Sequence, residues 1–453
     1  MTTTLIFPVR RSAPELVGPA APTPRETKRL SDIDDTWRFH VPLLFFYRGR
    51  PGAAADPASV VRRALGEALV PYYPLAGRLK ELEARKLVVE CTEEGVLFVE
   101  ADAGVRLAEL EAAGLRPPFP YMDQLLFQAE GSVSSTGGAL HCPLLLIQVT
   151  RLLCGGFVLA LSICHAMFDG AGVAQFLSAL AELARGLPAP AVQPAWSREL
   201  LEARSPPSPA FPHREYDVVP ASSSPPPRHR CGDMVTRTFT FRPADVAAIK
   251  SHLPASLRDT ATAFEALAAA LWRARTAAME LPPGEDVRLV VMVNFRHLRE
   301  LGLPAGYYGN AIAPSAAVTT AGALLAGSLG DAVELVREAK AAVTAEYIRS
   351  MADFLALRER PVLPVANLYV LSDNRHAGFH LVDLGWGVPV YGGRSTTLFG
   401  ASLVVTVRTG AGDDAVAVPI MLPPSAMDRF ASQVERLLAS PGAWAMPGLR
   451  GRL

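Results

Sequence analysis

The longest apolar stretch of the chain, PLLLIQVTRLLCGGFVLALSIC at 143–164, runs on without a helical period. A strand covered on both faces reads as such a continuous run, so this segment predicts two buried strands joined at Cys154-Gly155-Gly156. Directly after it, GAGVAQFLSALAELARGL (170–187) carries apolar residues at three- and four-residue spacing, and Gly186 with Pro188 supplies a stop. His165 therefore stands where a buried strand ends, and Asp169 just before a helix begins. Upstream, ASVVRRALGEALVPYYPLAGRL (58–79) predicts a helix, a Pro/Gly turn and a strand, and KLVVECTEEGVLFVEADA (86–103) predicts a β-hairpin around Glu93-Glu94-Gly95.

The pattern then lapses. From Pro188 to Pro227 the chain is rich in proline, with runs such as SPPSP and SSSPPP and little periodicity, which predicts a long crossover. It resumes with VTRTFTFRPADVAAIKSHL (235–253), a strand entering a helix, and ATAFEALAAALWRARTAA (261–278), a helix. VRLVVMVNF (287–295) predicts a buried strand, and 330–360 one or two helices. Strands at 367–373, 402–408 and 415–422 and a closing helix at 425–439 complete the order. The expected division is a first α/β domain at 1–187, a linker at 188–233 and a second α/β domain at 234–453, which suits a chain of 453 residues, longer than a single core usually serves.

Composition narrows the function classes. Lys plus Arg and Asp plus Glu are both 44, and zero net charge argues against nucleic acid or an anionic membrane as the main partner. Cys91, Cys142, Cys154, Cys164 and Cys231 show no CxxC spacing, so neither a disulfide framework nor a metal site is expected. The N-terminus does not read as a signal peptide, and Gln148, Arg151 and Gly155-Gly156 interrupt the apolar run too soon for a membrane span. The expectation is a soluble, cytoplasmic, monomeric protein whose function resides in a site.

The candidate chemistry centres on SICHAMFDGAG (162–172). Histidine can take a proton near neutral pH, so His165 at a strand end could deprotonate an alcohol or amine. Asp169 could orient the imidazole as in a triad, yet four residues of loop do not dictate that its carboxylate faces the ring. A hydrogen-bonded histidine at a strand terminus accounts for HxxxD equally well. Cys164 beside it reads as a core thiol, since neighbours on a strand point to opposite faces. His141 and His297 read as structural.

Taken together, SICHAMFDGAG, DLGWG (383–387), YYPLAGRL (72–79) and GYYGNAI (306–312) occur in an order that resembles the plant BAHD acyltransferases, from LSDIDD (30–35) to the last helix. The resemblance implies two chloramphenicol-acetyltransferase-like domains, each a mixed sheet with flanking helices, and a channel between them. It implies acyl-CoA as co-substrate, no tightly bound cofactor, and a small-molecule alcohol as acceptor. His165 would be the general base on the acceptor hydroxyl, which attacks the thioester directly. Asp169 would point away and pair with Arg296, holding the loop. DLGWG, with Leu384 where the family has Phe, would be structural through Asp383, Gly385, Trp386 and Gly387. In LSDNRHAGF (371–379), Ser372 and Asn374 are candidate donors to the oxyanion. Arg258, Thr260, Thr262, Arg375 and Arg394 are candidates for the CoA phosphates by position.

NxR before LPxGYYGNA and SDxxxxGF resemble the branch of benzyl alcohol benzoyltransferases, taxane acyltransferases and grass hydroxycinnamoyl transferases. That implies transfer of benzoyl or p-coumaroyl to a small alcohol of the benzyl or monolignol kind. Acetyl transfer to a specialised metabolite and an inactive ligand-binding member are the alternatives. A peptide-forming condensation domain is disfavoured because Cys164 stands where its first histidine belongs.

Overall fold

The computed structural model describes residues 5–50, 55–119, 121–127, 139–217, 234–364, 367–397, 400–408 and 414–439. Part of the expected linker, with Cys231, lies outside the described residues. The protein is α/β, built on two large mixed sheets with helices packed against them.

In the first sheet the strands run Val9–Arg11, Val96–Ala103, Leu145–Leu152, Phe157–Cys164, His40–Tyr47 and Tyr391–Arg394, with Glu15–Val17 also pairing Val96–Ala103. Val96–Ala103 and Leu145–Leu152 are parallel, and the next two pairings antiparallel. Both faces are covered, which is why its central strands read as unbroken apolar runs. Val41, Leu43, Phe45 and Tyr47 enter one core with Leu159, Leu161 and Ile163, while Leu44 and Phe46 enter another with Val158 and Ala160. The last strand, Tyr391–Arg394, comes from the second half of the chain and pairs antiparallel with His40–Tyr47.

The second sheet runs Val235–Phe241, Asp414–Leu422, Ala401–Arg408, Leu368–Asp373, Asp286–Asn294 and Ile312–Thr320. Helices Pro243–Ser251, Ala263–Met279, Leu329–Ala341 and Pro424–Leu438 cover one face of it. The two-residue period of Leu368–Asp373 divides its side chains by purpose. Tyr369 and Leu371 join the helical core, while Leu368, Val370 and Ser372 line a cavity on the other face.

The hairpin expected at 86–103 does not form. Leu87–Glu90 pairs with Thr27–Arg29 and Arg78–Glu81 in a small third sheet, whereas Val96–Ala103 belongs to the first. Glu93 and Gly95, at φ 61° and 92°, do supply a sharp turn. Gly95 lies against the Val17 carbonyl, where a Cβ would come within 2.4 Å of the oxygen, so the turn passes the chain from one sheet to another. The proline-rich crossover is also less loose than its pattern predicts: Arg198, Leu201, His213 and Glu215 are buried.

Candidate active site

Strand Phe157–Cys164 delivers His165 into a tight turn, with Met167 N–H donating to Cys164 O at 3.0 Å and Phe168 N–H to His165 O at 3.3 Å. The turn ends when Asp169 caps helix Gly170–Ala184 by accepting from Gly172 N–H at 2.9 Å. Its carbonyls are held from elsewhere in the chain. Asn310 Nδ2 donates to His165 O at 2.9 Å and Arg198 Nη2 to Met167 O at 2.8 Å. Both residues converge on Asp34 Oδ1, at 2.8 and 2.7 Å. Three distant segments therefore fix this one loop.

The His165 ring lies in the wall of a cavity of about 770 Å³. Trp37 stacks on it at 4.9 Å between centroids and 20° between planes, and Phe39 meets it edge-on at 5.3 Å. Its Nδ1 is buried without a hydrogen-bond partner, as is Asn310 Oδ1, while the ring itself lines the cavity. Burial pushes the imidazole down to about 4, and the Arg394 charge adds to the lowering; Asp169 and Asn310 offset it in part. The ring is neutral at ordinary pH. Cys164 is buried and its thiol is pushed up to about 12, so it is no thiolate nucleophile.

Asp169 is fully engaged away from the ring. Arg296 clasps it with Nη1 to Oδ2 at 2.6 Å and Nη2 to Oδ1 at 2.9 Å, and Ala311 N–H donates to Oδ2 at 2.9 Å. With the Gly172 bond, four donors face a carboxylate that is 1% exposed. Arg296 also donates to Gly309 O at 2.6 Å, so the pair joins the helix start to the Gly-Tyr-Tyr-Gly-Asn segment.

Ser372, Asn374 and Arg394 line the same cavity as His165. Arg375 does not line it; it forks onto Asp373, with Nη2 to Oδ2 at 2.6 Å. Arg258, Thr260 and Thr262 are likewise not brought to it: Arg258 donates to backbone carbonyls of Ser251 and Leu253, Thr260 to Ser256 O, and Thr262 caps helix Ala263–Met279. The DLGWG loop lies apart from the cavity. Asp383 Oδ1 accepts from Gly385 and Gly387 N–H, both at 2.8 Å, at residues with φ of 103° and 86°. Leu384 is buried in the first core, and Trp386 meets Phe157 edge-on at 5.2 Å.

Sequence reasoning passed over Trp37, Phe39, Asp34, Arg198 and the Asn310 contact. Trp37 and Phe39 directly follow the LSDIDD stretch, which was the available signal; nothing in the proline-rich pattern marks Arg198.

A histidine held neutral in a cavity lined from two mixed sheets, on a loop fixed by a buried Asp–Arg pair, suits general-base transfer of an acyl group, and similarity to known proteins identifies the class. The chain belongs to the family described as Transferase family, whose model matches residues 7–437, and so to the BAHD acyltransferases its motifs resemble. It is 47% identical over 442 residues to benzyl alcohol O-benzoyltransferase of Petunia hybrida, covering 96% of this chain and 94% of that protein. It is 46% identical over 456 residues to (Z)-3-hexen-1-ol acetyltransferase of Arabidopsis thaliana, covering 96% of each. The solved structure of vinorine synthase shares the fold at a TM-score of 0.72 and 22% identity, over 96% of this chain and all of that one.

Proposed function

We propose that this enzyme, an acyl-CoA-dependent O-acyltransferase of small alcohols, transfers an aromatic acyl group, benzoyl or hydroxycinnamoyl, from CoA to a primary alcohol. The observation that carries the reading is the His165 ring in the wall of a cavity that Trp37, Phe39, Phe168 and Phe379 also line. His165 Nε2 takes the proton of the acceptor hydroxyl as its oxygen attacks the thioester carbonyl. The tetrahedral intermediate then expels CoA thiolate, which the protonated ring can reprotonate, so no acyl-enzyme is needed. Ser372 and Asn374, which line the same cavity, would donate to the oxyanion, and Asp169 with Arg296 keeps the loop in shape.

An aromatic donor suits walls made of rings, and the Petunia relative is named for a benzoyl transfer. Acetyl transfer is the second reading, favoured by the name of the Arabidopsis relative. A matrix of acetyl-, benzoyl- and p-coumaroyl-CoA against benzyl, aliphatic and monolignol alcohols tests it, with release of free CoA thiol as the readout. The expected result is a higher kcat/KM for an aromatic donor; preference for acetyl-CoA across the panel sinks the aromatic reading. We read the molecule as a cytoplasmic monomer with domains at 1–187 and 234–453, although strand Tyr391–Arg394 of the second joins the sheet of the first; free Cys91, Cys142, Cys154 and Cys164 suit a reducing compartment. Among the described residues no helix is long and apolar enough to cross a membrane.

A further inference from the structure

Among the described residues most charges around the cavity are paired or open to solvent. Arg360 binds Asp32 and, at 2.8 Å, Asp35; Arg38 is paired with Glu81, and Asp169 with Arg296. Arg85 is exposed to solvent. Arg394 is half-buried in the cavity wall and has no counterion: among the described residues no carboxylate or carbonyl accepts from its guanidinium, and its Nε is buried without a partner. Burial pushes it down to about 10, low for a group that normally stays charged far above that. A half-buried cation with no counterion is stabilised by any ligand that supplies the missing charge.

Its position says what that is. Arg394 ends strand Tyr391–Arg394, opposite Leu43 of His40–Tyr47, and it is near enough to His165 for its charge to depress the ring. When a thioester sits at His165, the CoA phosphates lie a whole pantetheine arm away, so Arg394 is badly placed for the phosphate role that its position in the sequence suggested. A planar guanidinium fork without a counterion, in a cavity whose acidic residues are already paired, matches a carboxylate, which accepts two parallel hydrogen bonds and brings one compensating charge. We propose that Arg394 is a carboxylate-recognition site and that one of the two substrates carries a carboxylate. The source is either a hydroxy acid as acceptor or a dicarboxylic half-thioester as donor. The proposal rests on the acyl-transfer reading for the identity of the two substrates. A bound carboxylate would also cancel the repulsion of Arg394 on His165, so the substrate itself would make the ring a stronger base.

The test uses the full chain as wild type, Arg394→Met and Arg394→Lys. One arm compares 4-(hydroxymethyl)benzoate with benzyl alcohol as acceptors of benzoyl-CoA; the other compares malonyl-CoA with acetyl-CoA as donors to benzyl alcohol. In one arm the wild type should favour the carboxylate substrate by about tenfold or more in kcat/KM, the size expected of a hydrogen bond to a charged group. That ratio should collapse toward one in Arg394→Met and be partly kept in Arg394→Lys. No preference in either arm, or a preference that survives Arg394→Met, overturns the proposal. Quenching of tryptophan fluorescence by 4-(hydroxymethyl)benzoate and by malonyl-CoA measures binding without turnover, and one of the two should bind at least ~10-fold more weakly to Arg394→Met. Equal binding by both proteins overturns the site. Absence of transfer to every alcohol refutes acyl transfer while this binding comparison still decides on Arg394. Should Arg394→Met fail to fold, the wild-type ratios and Arg394→Lys decide.

Discussion

A histidine that removes a proton from an alcohol has to be neutral when the alcohol arrives. In His165 burial and the Arg394 charge both disfavour the imidazolium, holding the ring near 4 where a free imidazole titrates at about 6.5. Protonation silences the base, so the acid limb of kcat/KM should fall below 6.5 and toward 4; a limb at or above 6.5 contradicts this environment. His165→Ala should lower kcat by roughly 10²–10⁴-fold, the range of general-base catalysis, with the melting temperature unchanged. Asp169 is the opposite case. Its four donors include both Arg296 nitrogens, so Asp169→Ala should cost about 3–5 kcal/mol by stranding a partly buried guanidinium, and should lower the melting temperature together with activity. Asp169→Asn with full stability and no activity would refute the scaffold role. The three residues between them are too few to separate the two, but the pairing of Asp169 with Arg296 was legible only through the family resemblance. Arg258, Thr260 and Thr262 lie outside the His165 cavity and make local hydrogen bonds at their helix ends.

Elements place these residues only as well as they pack against each other. Helix Gly170–Ala184 begins so close to the Gly-Tyr-Tyr-Gly-Asn segment that a Cβ on Gly172 would lie 2.0 Å from Tyr308 O. The obstacle is backbone, held by Arg296 and by Asn310, so it cannot rotate away. Gly172→Ala should therefore shift the helix start, costing about 1–3 kcal/mol as overpacking does and slowing turnover by moving the His165 loop. Thermal unfolding and kcat measured on the same preparation check this; an alanine variant with wild-type values means the contact is looser than drawn. Strong patterns make most elements readable: the unbroken apolar run at 143–164 gives two strands, and helical periodicity gives the long helices of the second half. His40–Tyr47 and Ile312–Thr320 went unread, the first hidden behind Pro42 in a short apolar run, the second diluted by Ala, Ser and Thr. The hairpin at 86–103 failed for another reason: a turn signal is local, and which sheet each strand joins is not.

At the level of the entire chain, the site is held together by a crossover segment whose pattern looks disordered. Arg198 is buried and pairs with Asp34 at 2.7 Å, while Asn310 from the second half meets the same carboxylate at 2.8 Å. Trp196 and Tyr308 cover the guanidinium, at 4.6 and 5.1 Å from their ring centres. A single Arg198→Met leaves Asp34 buried with its charge uncompensated and should cost about 3–5 kcal/mol. Asp34→Asn alone strands the arginine in the same way. If the pair is what ties the crossover to the His165 loop, the double variant removes both buried charges at once. It should then recover at least ~1 kcal/mol relative to the sum of the single costs, as groups in direct contact do. Chemical denaturation of the four proteins measures this coupling, and kcat/KM on the same set shows whether the loop geometry follows it. Costs that add to within ~0.5 kcal/mol would mean the two residues act independently, and the crossover would then be a tether rather than a third wall of the active site.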